Sequence, residues 1–237
     1  MTEIKTGVIN PIECYKEGWE LIKNDYWILF AISLVGGFIG GISFYILLGA
    51  MLCGIYYCFL QTIDGHKASF DGLWKGFSYF LPSLLVTIII VIPMLVFFGV
   101  IYVPVILAAV MGSNLSPEEF MGLMFGALAV DIVVAIAMTC FHTLLMFSFP
   151  LIVDRNLGAL EAVKTSAKAV WGNLGGVAGL IGVGIVLSLL GIITCGIGMY
   201  FIMPIMIAGY AVAYRKIFPA GSNRNYNPPT SDFYQGI

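Results

Sequence analysis

Long apolar runs alternate with short polar stretches along the whole chain, and the polar stretches are of two kinds. Four of them hold every Lys and Arg: the N-terminus (Lys5, Lys16, Lys23), residues 64–78 (Lys67, Lys75), residues 154–172 (Arg155, Lys164, Lys168) and the tail (Arg215, Lys216, Arg224). The gaps near 41–49, 112–119 and 193–197 hold no base, and the second carries Glu118 and Glu119. Because basic and base-free gaps alternate, the positive-inside bias of membrane proteins places all four basic stretches in the cytoplasm and the others on the far side. The pattern predicts six membrane spans: a hairpin within 26–63, a pair over 82–112 and 118–150, and a pair over 173–193 and 198–218, with both termini cytoplasmic.

Helical periodicity in the polar stretches adds a threefold repeat. Ile12, Tyr15, Trp19 and Ile22 share one helix face, and the same spacing recurs in Phe70, Leu73, Phe77 and Phe80 and in Leu160, Val163, Ala167 and Val170. An acid follows the first apolar residue each time, as Glu13, Asp71 and Glu161, where it suits the positive end of a helix dipole. Asn10-Pro11 with Glu13 reads as a helix start, as does Ser116-Pro117-Glu118-Glu119 before the fourth span. The predicted fold is therefore an all-α membrane domain over residues 1–218 with repeats 11–63, 69–150 and 159–218. Each repeat is a short amphipathic interfacial helix on the cytoplasmic side followed by a transmembrane hairpin. Trp19, Trp74 and Trp171 fall in those surface helices and are the predicted interfacial anchors.

Composition agrees with lipid as the main solvent: 60% of residues are hydrophobic and only 10% charged, where a soluble domain carries about 25% charged residues. The net charge of −2 and the absence of a basic patch exclude a nucleic-acid partner. The first twenty residues lack the basic start, apolar core and small-residue cleavage site of a cleavable signal peptide. Five cysteines, mostly within apolar runs, read as packing residues. The tail over 219–237 is rich in Pro, Gly, Asn and Ser, is predicted to be irregular, and is a candidate contact for a protein partner.

Three features carry candidate chemistry. Asp131 falls near the middle of the fourth span, where an ionisable group is costly and is a functional candidate by default. His142, eleven residues on, returns to nearly the same face, so the pair forms a candidate intramembrane polar stripe that lies too far apart for direct contact. Pro82, Pro93 and Pro104 recur every eleven residues and predict a third span broken or weakened near the last two. Glycines mark predicted helix seams: Gly36 and Gly40 in the first span and Gly175 and Gly179 in the fifth are expected to pack these two helices near each other or to form an oligomer seam. No HExxH, P-loop, GxSxG or CxxC motif occurs. Asp64-His66-Lys67 and Asp154-Arg155-Asn156 read as exposed turns.

Three segments resemble a broad group of bacterial integral membrane proteins. They are Gly49 to Leu60 with Gly65 and Phe70 to Phe77; Pro150 to Gly158 with Glu161-Ala162, Lys164, Ser166 and Gly172-Asn173; and Cys195-Gly196, Gly198, Pro204 and Ala213-Tyr214-Arg215. That largely uncharacterised group is similar to the membrane domain attached to some glycerophosphodiester phosphodiesterases. The resemblance implies a polytopic membrane fold and, with no hydrolase domain in these residues, no reaction. The expected function is that of a non-enzymatic, multi-pass protein of the bacterial inner membrane, an accessory or scaffolding subunit that binds lipid and other membrane proteins and needs no cofactor. Two alternatives stand beside it. One is a small transporter or channel using the broken third span and the Asp131/His142 stripe; the other is a cofactor-carrying subunit with haem or a chlorin on His142.

Overall fold

In a computed structural model, residues 4–111, 116–194 and 196–220 are described. They are helical, with no strand among them, in the order α1 (Pro11–Ile22), α2 (Tyr26–Ile42), α3 (Leu48–Ile63), α4 (Asp71–Trp74), a 3-10 turn (Lys75–Tyr79), α5 (Phe80–Met111), α6 (Pro117–Leu144), α7 (Ser148–Arg155), α8 (Ala159–Trp171), α9 (Leu174–Ile193) and α10 (Ile197–Ile217). The predicted tail lies outside the described residues from Gly221 on, as does Cys195.

Four helical segments are long and apolar enough to cross a membrane, and a fifth results if α1 and α2 count as one bent span. The 105° bend between α1 and α2 turns the amphipathic helix almost perpendicular to the apolar one. Two members of the predicted set are short: α2 has 17 residues and α3 has 16, so each is about 24–26 Å long against a hydrocarbon core of roughly 30 Å. The helix starts are those the sequence announces. Asn10 Oδ1 accepts from the Glu13 N–H with Pro11 at the first helical position. At α6, Ser116 and Glu119 form a reciprocal capping box, with the Glu119 N–H donating to the Ser116 hydroxyl and the Ser116 N–H to the Glu119 carboxylate.

Several expectations need correction. The third span is not broken: α5 runs unbroken over 32 residues through Pro82, Pro93 and Pro104. A proline removes one ladder bond, but in an apolar segment an open break would leave more backbone groups unpaired than a continued helix does. The fourth span ends earlier than predicted, at Leu144, and a turn at residues 145–147 leads into α7. Asp154 and Arg155 are the last turn of α7 rather than a loop, and only Asn156 leaves the helix, with a left-handed φ of 51°. The predicted second surface helix is one α-turn continued by a 3-10 turn.

The structure divides into two units, one holding the chain up to Thr87 and from Leu144 onward, the other Ile88–Thr143. The first has a dense core that includes Ile22, Met51, Phe59, Leu73, Tyr79, Phe147, Val170 and Tyr214, all fully buried. In this core, α1 packs on α10, α4 and the 3-10 turn on α3, and α8 on α7. Glycine makes the closest of these approaches possible. A Cβ on Gly76 would strike the Ala50 carbonyl and lie 2.6 Å from the Gly54 nitrogen, and one on Gly54 would strike the Leu73 carbonyl. Gly18 sits on the backbone of Ala208 and Gly209, 3.0 Å from where its Cβ would be.

The predicted glycine seam between the first and fifth spans is not formed. Gly36 seats Ile55 and Leu73, Gly40 seats Leu48, Gly179 seats Pro11, and Gly175 has no neighbour within 4 Å. Instead α10 packs against both α2 and α9. The physical reason is that Gly36 and Gly40 are filled by side chains of Leu48, Ile55 and Leu73 and Gly179 by Pro11, so these positions are taken before the two helices could meet.

Candidate functional site

The charged residues that sequence reasoning set aside as turns come together. Arg215, one turn from the end of α10, donates from Nε to Asp64 Oδ1 at 2.9 Å and from a terminal nitrogen to Asp64 Oδ2 at 2.7 Å, a bidentate pair. Its other terminal nitrogen lies 2.8 Å from Asp154 Oδ1. The second oxygen of Asp154 accepts from the Tyr214 hydroxyl at 2.6 Å and from Arg155 Nε at 3.1 Å. Arg155 in turn donates to the Pro219 carbonyl at 3.1 Å. The Asp154 carboxylate is fully buried and the Arg215 side chain is 9% exposed.

Each member is placed by a helix terminus. Asp64 caps the C-terminal end of α3, and its position is fixed because the α3 face below it is buried along Cys53, Tyr57 and Leu60. Asp154 is carried by α7, whose Leu151, Ile152 and Val153 are buried. Tyr214 and Arg215 ride on α10, whose buried face runs through Ala208, Ala211 and Val212. Around this network further polar groups close the same end of the unit. Lys75 Nζ and Gln61 Nε2 donate to the Tyr57 hydroxyl at 2.9 and 3.0 Å. Ser166 accepts from the Phe147 N–H at 3.1 Å and donates to the Leu144 carbonyl at 2.7 Å. Asn173 donates to the Lys5 and Ala169 carbonyls and accepts from the Val8 N–H, holding the N-terminal segment against the α8–α9 junction.

Two carboxylates and two guanidinium groups make the network electrically neutral; three of the four carboxylate oxygens accept hydrogen bonds, and Asp154 Oδ1 stands in ion-pair contact with Arg215. An arginine held between two carboxylates cannot turn its charge toward an anionic ligand without abandoning one of them. The arrangement is chemically a clamp: it holds the ends of α3, α7 and α10 in one geometry, and removing any one charge would strand the others in a poorly hydrated site. In the sequence the residues of this clamp carry only a local mark, a charged residue at the end of an apolar run.

The sequence-predicted polar stripe lies in the other unit. Asp131 is half-buried at the midpoint of α6, and His142 is near the helix end, about 16 Å away along the axis, so the two do not meet. The His142 ring touches only that of neighbouring Phe141, at 5.8 Å, among ring contacts of the described residues. The hydroxyls of Thr139 and Thr143 bond the carbonyls one turn back. Among the described residues no three His, Cys, Asp or Glu side chains converge to hold a metal ion. Trp19, Trp74 and Trp171, the predicted anchors, are exposed at 40, 46 and 70%.

A groove of about 580 Å³ opens between α2 and α10, lined by Ser33, Leu34, Val35, Gly37, Phe38, Tyr200 and Met203. It is apolar apart from the hydroxyls of Ser33 and Tyr200. No family model matches the chain, and neither a curated protein nor a solved structure does.

Proposed function

We propose that this chain is a non-enzymatic, six-span protein of the bacterial inner membrane that serves as an accessory or scaffolding subunit for other membrane proteins. The observation that carries this reading is the surface of the unit Ile88–Thr143. Ile92, Val96, Val110, Phe125, Val133 and Ile136 are between 55 and 76% exposed and lie on both of its helices. Only acyl chains or other membrane helices make such a surface stable. In this reading α2 and α3 are short spans, the surface helices lie in the cytoplasmic headgroup layer with their tryptophans, and the α2–α10 groove takes lipid acyl chains.

Support for the threefold repeat comes from three packing contacts in one register. Gly18, Gly76 and Ser166 hold the same position in the three surface helices, six residues after Ile12, Phe70 and Leu160. Each touches the backbone of the second helix of a neighbouring repeat in cyclic order, the first repeat on the third, the second on the first and the third on the second: Ala208 and Gly209, Ala50 and Gly54, and Leu144. A small residue is needed where a surface helix crosses a span this closely.

Transport is the weaker reading because α5, which was to supply the broken helix, is continuous. The test is purification in a mild detergent followed by identification and stoichiometry of co-purifying membrane proteins. A defined partner at fixed ratio is the expected result. Purification without any partner, together with proton-driven flux in vesicles that Asp131→Asn abolishes, would overturn the scaffold in favour of a transporter. A visible absorbance band lost in His142→Ala would favour the cofactor-carrying alternative.

A further inference from the structure

Asp131 is an acid near the middle of an apolar helix, with no Lys or Arg paired to it among the described residues. Between Lys75 and Arg155 the sequence contains no Lys or Arg. Among the described residues Asp131 makes no hydrogen bond or ion pair. It sits 14 residues after Pro117 and 13 before Leu144, so about 20 Å of helix separates it from either end.

The face on which Asp131 lies is not the one turned to α5. Leu123, Gly126, Ala127 and Val130 line a cavity of about 210 Å³ together with Val100, Ile101 and Val105 of α5. At roughly 100° per residue, Asp131 stands about a quarter turn away from that set, in line with Ala135 and His142. Beside it runs a groove of about 340 Å³ lined by Ile132, Ala135, Ile136, Thr139 and Cys140. Thr139 has its hydroxyl satisfied within the helix. The carboxyl is the acidic group of this face, and among the described residues nothing answers it.

We infer that this face of α6 docks a transmembrane helix of another integral membrane protein, one bearing an Arg or Lys near its own midpoint that pairs with Asp131. The choice of occupant follows from charge. A second copy placed symmetrically on this face would bring two carboxylates together with no Lys or Arg on either hairpin and His142 about 16 Å along the axis, and like charges in a low dielectric oppose each other unless they share a proton. Lipid tails offer no partner at all. A basic helix removes two costs at once, since each charge is expensive alone in hydrocarbon and the pair is less so. Ala135, one turn on from Asp131 and at the near edge of that groove, is exposed and presents only a methyl, so a helix can approach closely there. This inference rests on the scaffolding reading and narrows it to one surface and one partner chemistry.

The test uses full-length protein in phosphatidylcholine:phosphatidylglycerol vesicles and fluorescent poly-leucine helices carrying a single central Arg, a single central Asp, or neither, with association read by energy transfer. The Arg helix is expected to bind about tenfold or more tightly than the all-Leu helix, and the preference to vanish in Asp131→Asn. In Asp131→Lys the preference should pass to the Asp helix, which separates charge pairing from misfolding. Equal binding of Arg and all-Leu helices, or a preference that survives Asp131→Asn, would overturn the docking site, as would peptide-independent self-association that depends on Asp131. If partners still co-purify with Asp131→Asn protein in that event, the scaffolding reading stands and only this surface is wrong.

Discussion

The two units treat the same residue types in opposite ways. In the first, charges are matched at helix ends and glycines let backbone approach backbone: Asp64, Asp154, Arg155 and Arg215 neutralise one another, and Gly54 and Gly76 leave no room for a Cβ. In Ile88–Thr143 the one central charge has no partner among the described residues, and Gly99, Gly122 and Gly126 have nothing within 4 Å of where a Cβ would stand. The first unit has a core fixed by its own contacts, although Phe38, Ile42 and Ile193 on its outer helices are exposed, whereas in the second exposed apolar side chains stand on both helices. Substitutions that damage the first should leave the second indifferent.

The largest effect is expected at Arg215. Arg215→Met would leave Asp64 and Asp154 without the guanidinium that bridges them, a loss of about 3–5 kcal/mol for a broken buried pair. Thermal unfolding in detergent should show a large fall in midpoint or no folded protein. Arg215→Met combined with Asp64→Asn and Asp154→Asn should recover part of the loss, because no unmatched charge then remains. An Arg215→Met protein that melts like the parent would mean that the clamp is only a surface decoration.

Gly76→Val comes next, at roughly 3 kcal/mol, the upper end of ordinary overpacking, because the groups it meets are the Ala50 carbonyl and the Gly54 backbone rather than a flexible side chain. The same melting assay reads it. Tyr214→Phe follows at about 1.5 kcal/mol. A hydrogen bond to a charged acceptor is commonly worth more, but Arg155 and Arg215 would still cover the Asp154 carboxylate.

These residues also show what the sequence discloses and what it hides. The helix starts at Asn10 and Ser116 and a turn within the gap 41–49, found at residues 43–47, were legible, because caps and breaks in apolar runs are local signals. That turn even places Phe44 and Tyr45 at positive φ, a strain that no local pattern announces. The clamp was not legible. Asp64, Asp154 and Arg215 are up to 151 residues apart, and a charged residue at the end of an apolar run looks the same whether it faces water or another helix. The glycine seam failed for a related reason: Gly36 and Gly179 each have the small face a helix contact needs, but composition does not say whether a side chain, a proline or another helix will occupy it. The broken span failed because proline's cost was weighed without the larger cost of unpaired backbone in hydrocarbon.

The smallest expected effect sharpens the contrast most. Gly122→Ala adds a methyl at an exposed position of α6 where nothing lies within 4 Å. Alanine also improves helix propensity over glycine by about 0.5–1 kcal/mol, although a span already held helical by lipid realises only part of that gain. The melting midpoint of the purified protein should therefore stay unchanged or rise slightly, by the equivalent of about 0.5 kcal/mol or less. The same substitution at Gly54, where the Leu73 carbonyl fills the site, should lower it severely. If Gly122→Ala destabilised as strongly as Gly54→Ala, Ile88–Thr143 would have to hold a packed contact at that glycine, and the account of this unit as a surface completed only by lipid or a partner helix would fail.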